Sequence, residues 1–426
     1  MNTIGKVDGV TKLSAVLIVL VIIFAGLAAW GLSRPAGITT TTATVVSTVT
    51  ETKTVGGETV TVTQTVGEGA TVTQTVTETV TQTLTAPGAG AQVSQLKVLI
   101  ILPISEEDLS WNYAAYEAIT KLQEVYGFEL AVERNLFDGT AAEPFAVDYA
   151  KRGYNIIILQ GIQYMDMACK IAPDYPDTLF VCIDCFKPCA PNVYNIWMTL
   201  EEGGFVLGVI AGKLTETNKI GLVGGGRVPS IWAGHEAFKA GALYVNPDVE
   251  FLEAYMALSW ADVAGAKKAA ESHFAAGADV VFSSGDGIDV GVTEAAKEKG
   301  FWTSSVYADL TKLRPDLADV LMGSITFDWE IVYSAAIRDY IYGTWEYGFL
   351  TATMASGIVK VSIGPKVPED VRKLAEDIQS KIMFGAIKIY FDVNPETGNY
   401  ICFESPELPE CSPTAAKVSF LPPLAA

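Results

Sequence analysis

The sequence predicts an α/β protein with two doubly wound lobes, preceded by a transmembrane helix and a disordered, threonine-rich stalk. Three observations support this prediction. From Val93 onward, short apolar runs alternate with amphipathic stretches, the alternation continues for about 300 residues, and a long uncharged apolar segment stands near the N-terminus. Because a single hydrophobic core stops growing near about 250–300 residues, a body of this length favours two lobes.

The N-terminal segment has the features of a membrane anchor. Residues 13–32 carry no charged side chain, and twenty helical residues span about 30 Å, enough to cross a bilayer core. Lys6 and Lys12 precede the run, which predicts a cytoplasmic N-terminus at 1–12 and a body outside the cell membrane. A cleaved signal peptide is the alternative, although its apolar region is normally shorter. No cysteine stands nearby to carry a lipid.

Residues 33–92 are predicted to form a stalk. The part from Thr39 to Thr85 is nearly all Thr, Val, Gly, Glu and Gln. Its Thr-Val alternation is compatible with β-strands, since β-branched side chains suit a pleated backbone. No turn signals divide the segment, however, and it offers nothing large to bury. The composition therefore favours a solvated, extended spacer, with O-glycosylated threonines by analogy with mucin-like segments.

Residues 93–393 are predicted to form the body. Lobe 1 would take about 93–199 with returning segments after 307, and lobe 2 about 200–306 with later segments. Apolar runs predict strands at 96–102, 128–133, 155–160, 179–184, 219–224, 250–254, 279–283, 303–306 and 320–327. Helical spacing predicts helices at 111–126, 141–152, 164–172, 200–214, 230–245, 262–276, 288–299, 329–342 and 368–384. Such strands are typical of parallel sheets covered on both faces. Residues 394–426 are expected to be a Pro-rich tail.

Ligands of open parallel sheets bind beyond the carboxyl ends of the strands. The side chains at those ends are acidic or aromatic, with few bases, which suits a neutral ligand that has hydroxyl groups and a flat ring. A net charge of −20 also argues against nucleic acid and anionic membrane surfaces as partners. The positions at or near the strand ends are Glu107, Asp108, Gln160, Asp184, Asp286, Tyr307, Asp309, Phe327 and Trp329.

Signatures of catalysis are incomplete in this chain. The phosphate-loop and dinucleotide-like glycine stretches near 208–214 and 224–229 lack required residues, and no G-x-S-x-G elbow occurs. His235 and His273, both in predicted helices, are the only histidines. With so few groups that titrate near neutral pH, we expect no enzymatic activity and no cofactor.

The six cysteines favour disulfides, because the predicted location is oxidising and their number is even. The expected pairs are Cys402–Cys411 and two among Cys169, Cys182, Cys185 and Cys189. A metal cluster is the alternative, but the C-x2-C-x3-C spacing lacks a standard ligand set. Disulfides flanking Asp184 would stiffen one rim of the binding site.

Several segments, taken together and in order, resemble the basic membrane protein family of solute receptors. Residues 108–117 (DLSWNYAAYE) are similar to the family's opening D-x-S-[FW]-N motif, and the block ending at Asp184 continues the match. Further similar segments are LEEGGFVLGVIAGK, KIGLVGGGRVP, AFKAGALYVNPDVE and GADVVFSSGDGIDVGVTEAAKEKG. The resemblance covers about residues 95–345. It implies a type I periplasmic-binding-protein fold with three inter-lobe crossings that closes on its ligand by hinge motion.

Well-described members of that family bind purine nucleosides, stacking the base between aromatic rings. The resemblance implies a stacking role for Tyr116, a base-reading role for Asp184, and polar contacts from Glu107, Asp108 and, in the opening motif, Asn112. The resemblance also implies that an aspartate and a lysine hold the ribose, and three positions depart from the family pattern. Tyr307 replaces the first aspartate of V-D-S-D, Phe327 replaces the lysine of S-V-V-K, and Gly234 stands where the second stacking ring is expected, with Trp232 nearby.

Plain structural roles remain open for several of these residues. Tyr116, Trp111, Trp232, Phe327 and Trp329 could serve in core or inter-lobe packing. Asp184 could cap a turn, Asp309 could simply be solvated, and Asp286 lies in a Gly-Asp-Gly turn signal.

The expected function is that of the extracytoplasmic solute-binding component of an ABC importer, taking a purine nucleoside or nucleobase in its cleft. Its partners would be the permease and ATPase subunits and the membrane through the N-terminal helix, with no nucleic acid and a monomeric state. A ligand-sensing surface receptor is the main alternative. An exported hydrolase and a stalked adhesin are further alternatives.

Overall fold

The computed structural model describes residues 48–55, 58–65, 95–186, 189–256, 260–344, 348–392 and 400–404. None of the helices in these ranges is long and apolar enough to span a membrane. The predicted anchor at 13–32 lies outside the described residues.

The N-terminal unit contains one antiparallel strand pair. Strands β1 (Thr48–Val55) and β2 (Glu58–Thr65) face each other with Thr48 opposite Thr65. Both belong to the segment for which the sequence favours an extended stalk. At these two positions the structure has β-strands, which agrees with the β propensity of Thr and Val.

The first lobe is built on a six-stranded parallel sheet in the order β13-β7-β6-β5-β3-β4. Its strands are β3 (Lys97–Ile101), β4 (Glu129–Glu133), β5 (Ile156–Gln160), β6 (Leu179–Ile183), β7 (Val193–Met198) and β13 (Gly348–Ala352). Its helices are α1 (Trp111–Tyr126), α2 (Gly139–Lys151), α3 (Met165–Ile171) and α9 (Trp329–Tyr342), which packs against α1. Short 3-10 turns occur at Glu106–Asp108, Ile162–Tyr164 and Ala172–Asp174.

The second lobe has a six-stranded sheet in the order β14-β12-β11-β10-β8-β9, parallel except for β14 against β12. Its strands are β8 (Lys219–Gly224), β9 (Glu250–Tyr255), β10 (Val280–Ser284), β11 (Trp302–Tyr307), β12 (Leu321–Phe327) and β14 (Val359–Ile363). Its helices are α4 (Leu200–Leu214), α5 (Pro229–Val245), α6 (Val263–Ala275), α7 (Ile288–Lys299), α8 (Leu310–Leu313) and α10 (Glu369–Met383), with a 3-10 turn at Ala318–Val320.

The chain crosses between the two sheets three times. The crossings follow β7, β12 and β13, at 198–200, 327–329 and 352–359. Three adjacent connections leave each lobe as a separate layered unit on a shared hinge. The predicted class of two doubly wound α/β lobes is therefore confirmed.

Helices α4 and α5 approach each other through glycine. A Cβ on Gly208 would lie 2.0 Å from the carbonyl oxygen of Phe238, and one on Gly241 would lie 2.1 Å from that of Phe205. Only glycine allows backbones this close, and any side chain would push the helices apart. This contact sets the position of α5, whose first turn faces the cleft.

The sequence missed several strands. Strand β7 follows a cysteine- and proline-containing loop, and β13 and β14 are short strands at the sheet edges, where patterning is weak. An antiparallel pair, β15 (Lys388–Asp392) and β16 (Tyr400–Glu404), comes last. Strand β16 falls within the segment expected to be a tail.

Candidate functional site

A cavity of about 380 Å³, including its open mouth, lies where the carboxyl ends of the two parallel sheets face each other. The first lobe contributes Pro103, Trp111, Gly161, Ile162, Gln163, Asp184 and Met198, and the second contributes Val228, Ser230, Ile231, Trp260, Asp286 and Tyr307.

Asp184 stands at the end of β6, with its backbone in the left-handed region at φ 62°. Its side chain is 5% exposed, and its Oδ2 accepts a 2.7 Å hydrogen bond from the hydroxyl of Ser230. Its Oδ1 is buried with no donor among the described residues. Burial raises the pKa of Asp184 to about 7, with the Ser230 hydrogen bond acting in the opposite direction. The carboxyl group can therefore change its charge near neutral pH.

Asp286, in the loop after β10, is the second carboxylate of the cavity. Asn112 Nδ2 donates to Asp108 Oδ2 at 2.8 Å and reaches Asp286 Oδ2 at 3.4 Å. Burial raises the pKa of Asp286 well above its usual range, and the negative charges of Asp108 and Asp289 raise it further. Asn112 is itself fully buried and lies behind the cavity lining. The two carboxyl groups that line the cavity, Asp184 and Asp286, are therefore its candidate hydrogen-bonding groups.

Aromatic rings form much of the cavity wall. The rings of Trp111 and Tyr307 meet edge to face, with centroids 4.8 Å apart. The indole N–H of Trp111 donates to the backbone oxygen of Gln160 at 3.0 Å, which fixes the ring. Trp260 packs over Gly225, where a Cβ would come within 2.5 Å of its ring. The rings offer flat, apolar surfaces on both lobes.

Three of the predicted site residues line the cavity, namely Asp184, Asp286 and Tyr307. Trp329, Phe327 and Gln160 do not line the cavity but pack behind residues that do. Trp329 packs edge-on against Trp111 at 5.3 Å and stacks on Phe327, whose ring centroid lies 5.9 Å from that of Tyr307. The side chain of Gln160 accepts a hydrogen bond from the hydroxyl of Tyr333 at 2.8 Å. Together with Asn112, they support the lining residues.

The remaining predicted residues do not line the cavity. Glu107 is exposed, and Asp108 accepts hydrogen bonds from three backbone N–H groups at the start of α1, which gives it a capping role. The guanidinium of Arg134 lies 5.2 Å from the ring of Tyr116. Asp309 is not simply solvated, because it accepts from Thr311 and from Ser362.

Trp232 packs with Trp197 and Ala233 in a separate hydrophobic cluster and not in the cavity lining. Sequence reasoning missed Trp260, Ser230 and Gln163. The rule that ligands lie beyond strand ends would have found Trp260 had it been applied to β9, which ends at Tyr255.

A Ser–His–Glu array, in which the serine and histidine are buried and the glutamate is exposed, lies at the end of β10. His235 Nε2 lies 2.6 Å from the Ser284 hydroxyl, and its Nδ1 lies 3.1 Å from Glu253 Oε1. The arrangement resembles a catalytic triad, yet His235 and Ser284 are fully buried and neither lines the cavity. Burial lowers the pKa of His235, so the ring is neutral at physiological pH. The array positions the loop that carries Asp286.

Two disulfides cross-link the first-lobe rim, Cys169–Cys189 and Cys182–Cys185. The prediction of two pairs among these four cysteines is confirmed. Cys411 and the side chain of Cys402 lie outside the described part of the chain, so their predicted pair stays a prediction. No cluster of three or more metal-ligating side chains occurs among the described residues.

The fold and the cleft define a two-lobed solute receptor of the periplasmic-binding type. The family model described as ABC transporter substrate-binding protein PnrA-like (Bmp) matches residues 96–392, and the chain belongs to this family. The resemblance to the basic membrane protein family is thereby confirmed.

Known relatives match most of the body. The chain is 28% identical over 313 residues to a purine-binding protein of Brucella abortus, covering 73% of this chain and 86% of the relative. It is 26% identical to the transcriptional activator protein med of Bacillus subtilis, covering 65% and 85%. A solute-binding protein structure from Aeropyrum pernix aligns with a TM-score of 0.63 at 21% identity, covering 71% and 95%, and supports the fold alone.

Proposed function

We propose that this protein is the extracytoplasmic solute-binding component of an ABC importer and that it binds a neutral purine nucleobase or nucleoside between its lobes. The observation that carries the proposal is the composition of the cavity. Two buried carboxyl groups and two indole rings line it, and no lysine, arginine or histidine is among the described residues that do so. The purine-binding name of the Brucella relative supports the same ligand class.

The charges of the cavity favour a ligand that donates hydrogen bonds. Asp184, which lines the cavity, has a buried Oδ1 without a donor among the described residues, and Asp286 adds a further carboxyl group. A buried acceptor left unpaired is unfavourable by about 1–3 kcal/mol, so a ligand N–H or O–H that pairs with it gains that difference. A phosphate would instead meet two carboxyl groups with no neighbouring cation. We therefore expect bases or nucleosides to bind and nucleotides to be excluded.

The flat walls favour a planar ring. Trp111 and Trp260 belong to different lobes and both line the cavity, so closure of the lobes can enclose a base between apolar faces. Stacking of a base on an aromatic side chain contributes about 1–3 kcal/mol. Tyr307 and Phe327, which stand where the family resemblance places a ribose-binding aspartate and lysine, favour a free base.

The partners follow from the family and from the sequence. We propose an N-terminal membrane anchor at 13–32, a monomeric body outside the cell membrane, and delivery of the ligand to a permease driven by an ATPase. The ligand-binding role assigned to Asp184, Asp286 and Tyr307 is part of this proposal.

Calorimetric titration of the full chain tests the ligand class. Adenine, guanine, hypoxanthine and their nucleosides are compared with adenosine monophosphate and glucose. We expect at least one base or nucleoside to bind and both controls to give no heat. Asp184→Asn should weaken binding about tenfold or more, whereas the matched variant Asp309→Asn, whose side chain does not line the cavity, should leave it unchanged. Absence of heat with every purine would overturn the ligand assignment.

A sensing role without transport is the second candidate, because the Bacillus subtilis relative is named a transcriptional activator. The two roles differ in the protein partner, because only an importer component acts on a permease and its ATPase. An importer component in its ligand-bound form should stimulate ATP hydrolysis by its reconstituted permease–ATPase pair. Failure to stimulate, with purine binding intact, would favour sensing.

A further inference from the structure

The Cys182–Cys185 disulfide encloses the cavity carboxylate Asp184. The two cysteines are three positions apart, so the bridge closes a ring of only four residues, and Asp184 is inside that ring. Both cysteine side chains are fully buried. The second bridge, Cys169–Cys189, joins α3 to the loop beyond the ring; the two cysteines are 20 positions apart, so this bridge closes a much wider loop around the small ring and Asp184.

The ring holds Asp184 against the sheet on both sides. Cys182 lies on β6, paired in register with Leu159 of β5 and Asn195 of β7. The backbone N–H of Cys185 donates to the carbonyl oxygen of Ile196 on β7 at 3.2 Å. The disulfide therefore ties a strand residue to the first residue after the turn, with Asp184 at the turn itself.

Asp184 adopts a backbone conformation that is uncommon for residues other than glycine. Its φ of 62° is in the left-handed region, which is unfavourable for residues other than glycine, although Asp tolerates it better than most. That conformation accompanies the hydrogen bond from the Ser230 hydroxyl to Asp184 Oδ2, and Asp184 lines the cavity. A relaxed backbone at this position would carry the carboxyl group elsewhere.

We propose that the Cys182–Cys185 disulfide is a positioning element for Asp184, so that ligand affinity depends on this bond being formed. The proposal rests on the proposed function only for the choice of purine probes. Without the bridge, the binding-competent conformation becomes one of several, and the apparent dissociation constant rises in inverse proportion to its population. From the preference of non-glycine residues for negative φ, we expect a rise of about tenfold.

A dithiol reductant would produce the same change chemically. Its thiolate attacks one cysteine sulfur to form a mixed disulfide, and its second thiolate then displaces that cysteine. Two cysteine thiols and a cyclic oxidised reductant result. Because both sulfurs are buried, this reaction should be slow in the folded protein.

Paired cysteine variants of the full chain test the proposal. Cys182→Ser/Cys185→Ser is compared with Cys169→Ser/Cys189→Ser, and both are titrated with adenine, guanine, adenosine and guanosine beside the wild type. We expect the first pair to raise the dissociation constant of the bound purine about tenfold and the second to change it less than threefold. Equal affinity in the first variant and the wild type would overturn the proposal.

A readout without ligand separates this inference from the ligand assignment. A crystal structure of ligand-free Cys182→Ser/Cys185→Ser should show Asp184 with negative φ and its bond to Ser230 lost. Retention of both features would refute the positioning role, whether or not any purine binds the wild type. If this variant does not fold, dithiothreitol treatment of Cys169→Ser/Cys189→Ser replaces it, with the same two criteria.

Discussion

The hydroxyl of Ser230, in the first turn of α5, donates a 2.7 Å hydrogen bond to Asp184 Oδ2 at the end of β6. The two residues belong to different lobes, so the bond joins them across the wall of the cavity. It also pairs one oxygen of a buried carboxyl group, whereas the other oxygen has no donor among the described residues. Because this hydrogen bond comes from the other lobe and lowers the pKa of Asp184, the charge of Asp184 depends on the two lobes being in contact.

Ser230→Ala should raise the pKa of Asp184 above about 7, because the hydrogen bond that lowers it is removed. The loss also leaves a buried carboxylate oxygen unpaired, so we expect the free energy of unfolding to fall by about 1–3 kcal/mol. Urea unfolding at pH 8, where the carboxyl group is mostly ionised, measures the fall. Ser230→Thr, which keeps a hydroxyl, is the control. An unchanged free energy in Ser230→Ala would contradict the importance of the contact.

The stability of the ligand-free protein should fall as pH rises from 5 to 7. Asp184 has a folded-state pKa of about 7, against 3.8 for the free side chain, so between these values only the folded state keeps the proton. Its contribution to stability is complete below about pH 4 and is lost as pH rises through about 7, with a slope of up to about 1.4 kcal/mol per pH unit.

Asp184→Asn should make that decline shallower, which urea unfolding at pH 5, 6, 7 and 8 would show. Some decline should remain, because burial raises the pKa of Glu202 to about 7 as well. An identical slope in the variant would show that Asp184 does not titrate in this range.

The affinity for a donor-bearing purine should increase between pH 6 and pH 8. A ligand N–H pairs with the ionised form of Asp184, and the neutral form predominates below its pKa of about 7. Calorimetric titration at several pH values measures the increase, and Asp184→Asn should abolish most of it. Affinity that falls with pH would instead indicate that the protonated carboxyl group donates to the ligand.

Trp260→Ala should weaken purine binding about 10- to 100-fold, since one stacked base contributes about 1–3 kcal/mol. Trp260→Phe keeps a flat ring and should lose less. Trp232→Phe is the matched control, because Trp232 packs in a separate cluster outside the cavity lining. Equal losses in Trp260→Phe and Trp232→Phe would argue against stacking.

Ser284→Ala should destabilise the protein by about 1–3 kcal/mol, because it removes the hydroxyl 2.6 Å from the buried Nε2 of His235. Thermal unfolding compares it with Ser305→Ala, whose hydroxyl pairs with Ser324 at 2.7 Å. Bound nucleoside should be recovered unchanged after prolonged incubation with the wild type. Hydrolysis that disappears in Ser284→Ala would instead make the triad-like array catalytic.

Tyr307→Asp should increase the affinity for adenosine relative to adenine. The change removes a ring from the cavity wall and restores the aspartate expected from the family resemblance. A hydrogen bond to a charged group contributes about 1.5–3 kcal/mol, so the ratio of the two dissociation constants should shift about 10- to 100-fold. An unchanged ratio would show that Tyr307 does not govern ribose binding.

Much of the fold could be predicted from the sequence because buried parallel strands consist of continuous runs of apolar residues. Strands such as Ile156–Gln160 and Leu179–Ile183 are recognisable for this reason. Edge strands lack that signal, since only part of each is buried. Strand β14 is one example, and its antiparallel pairing with β12 depends on how the chain returns between the lobes.

The sequence by itself determined the class of the protein, two α/β lobes, and the strand ends from which Asp184, Asp286 and Tyr307 enter the cavity. The rule behind this is local, because parallel strands in one sheet all end at the same edge. Only the tertiary structure decided which of those ends meet across the cleft. It also assigned Asp108 to a helix start and selected Cys185 as the partner of Cys182. Such choices depend on distances between segments far apart in the chain, which composition and periodicity do not specify.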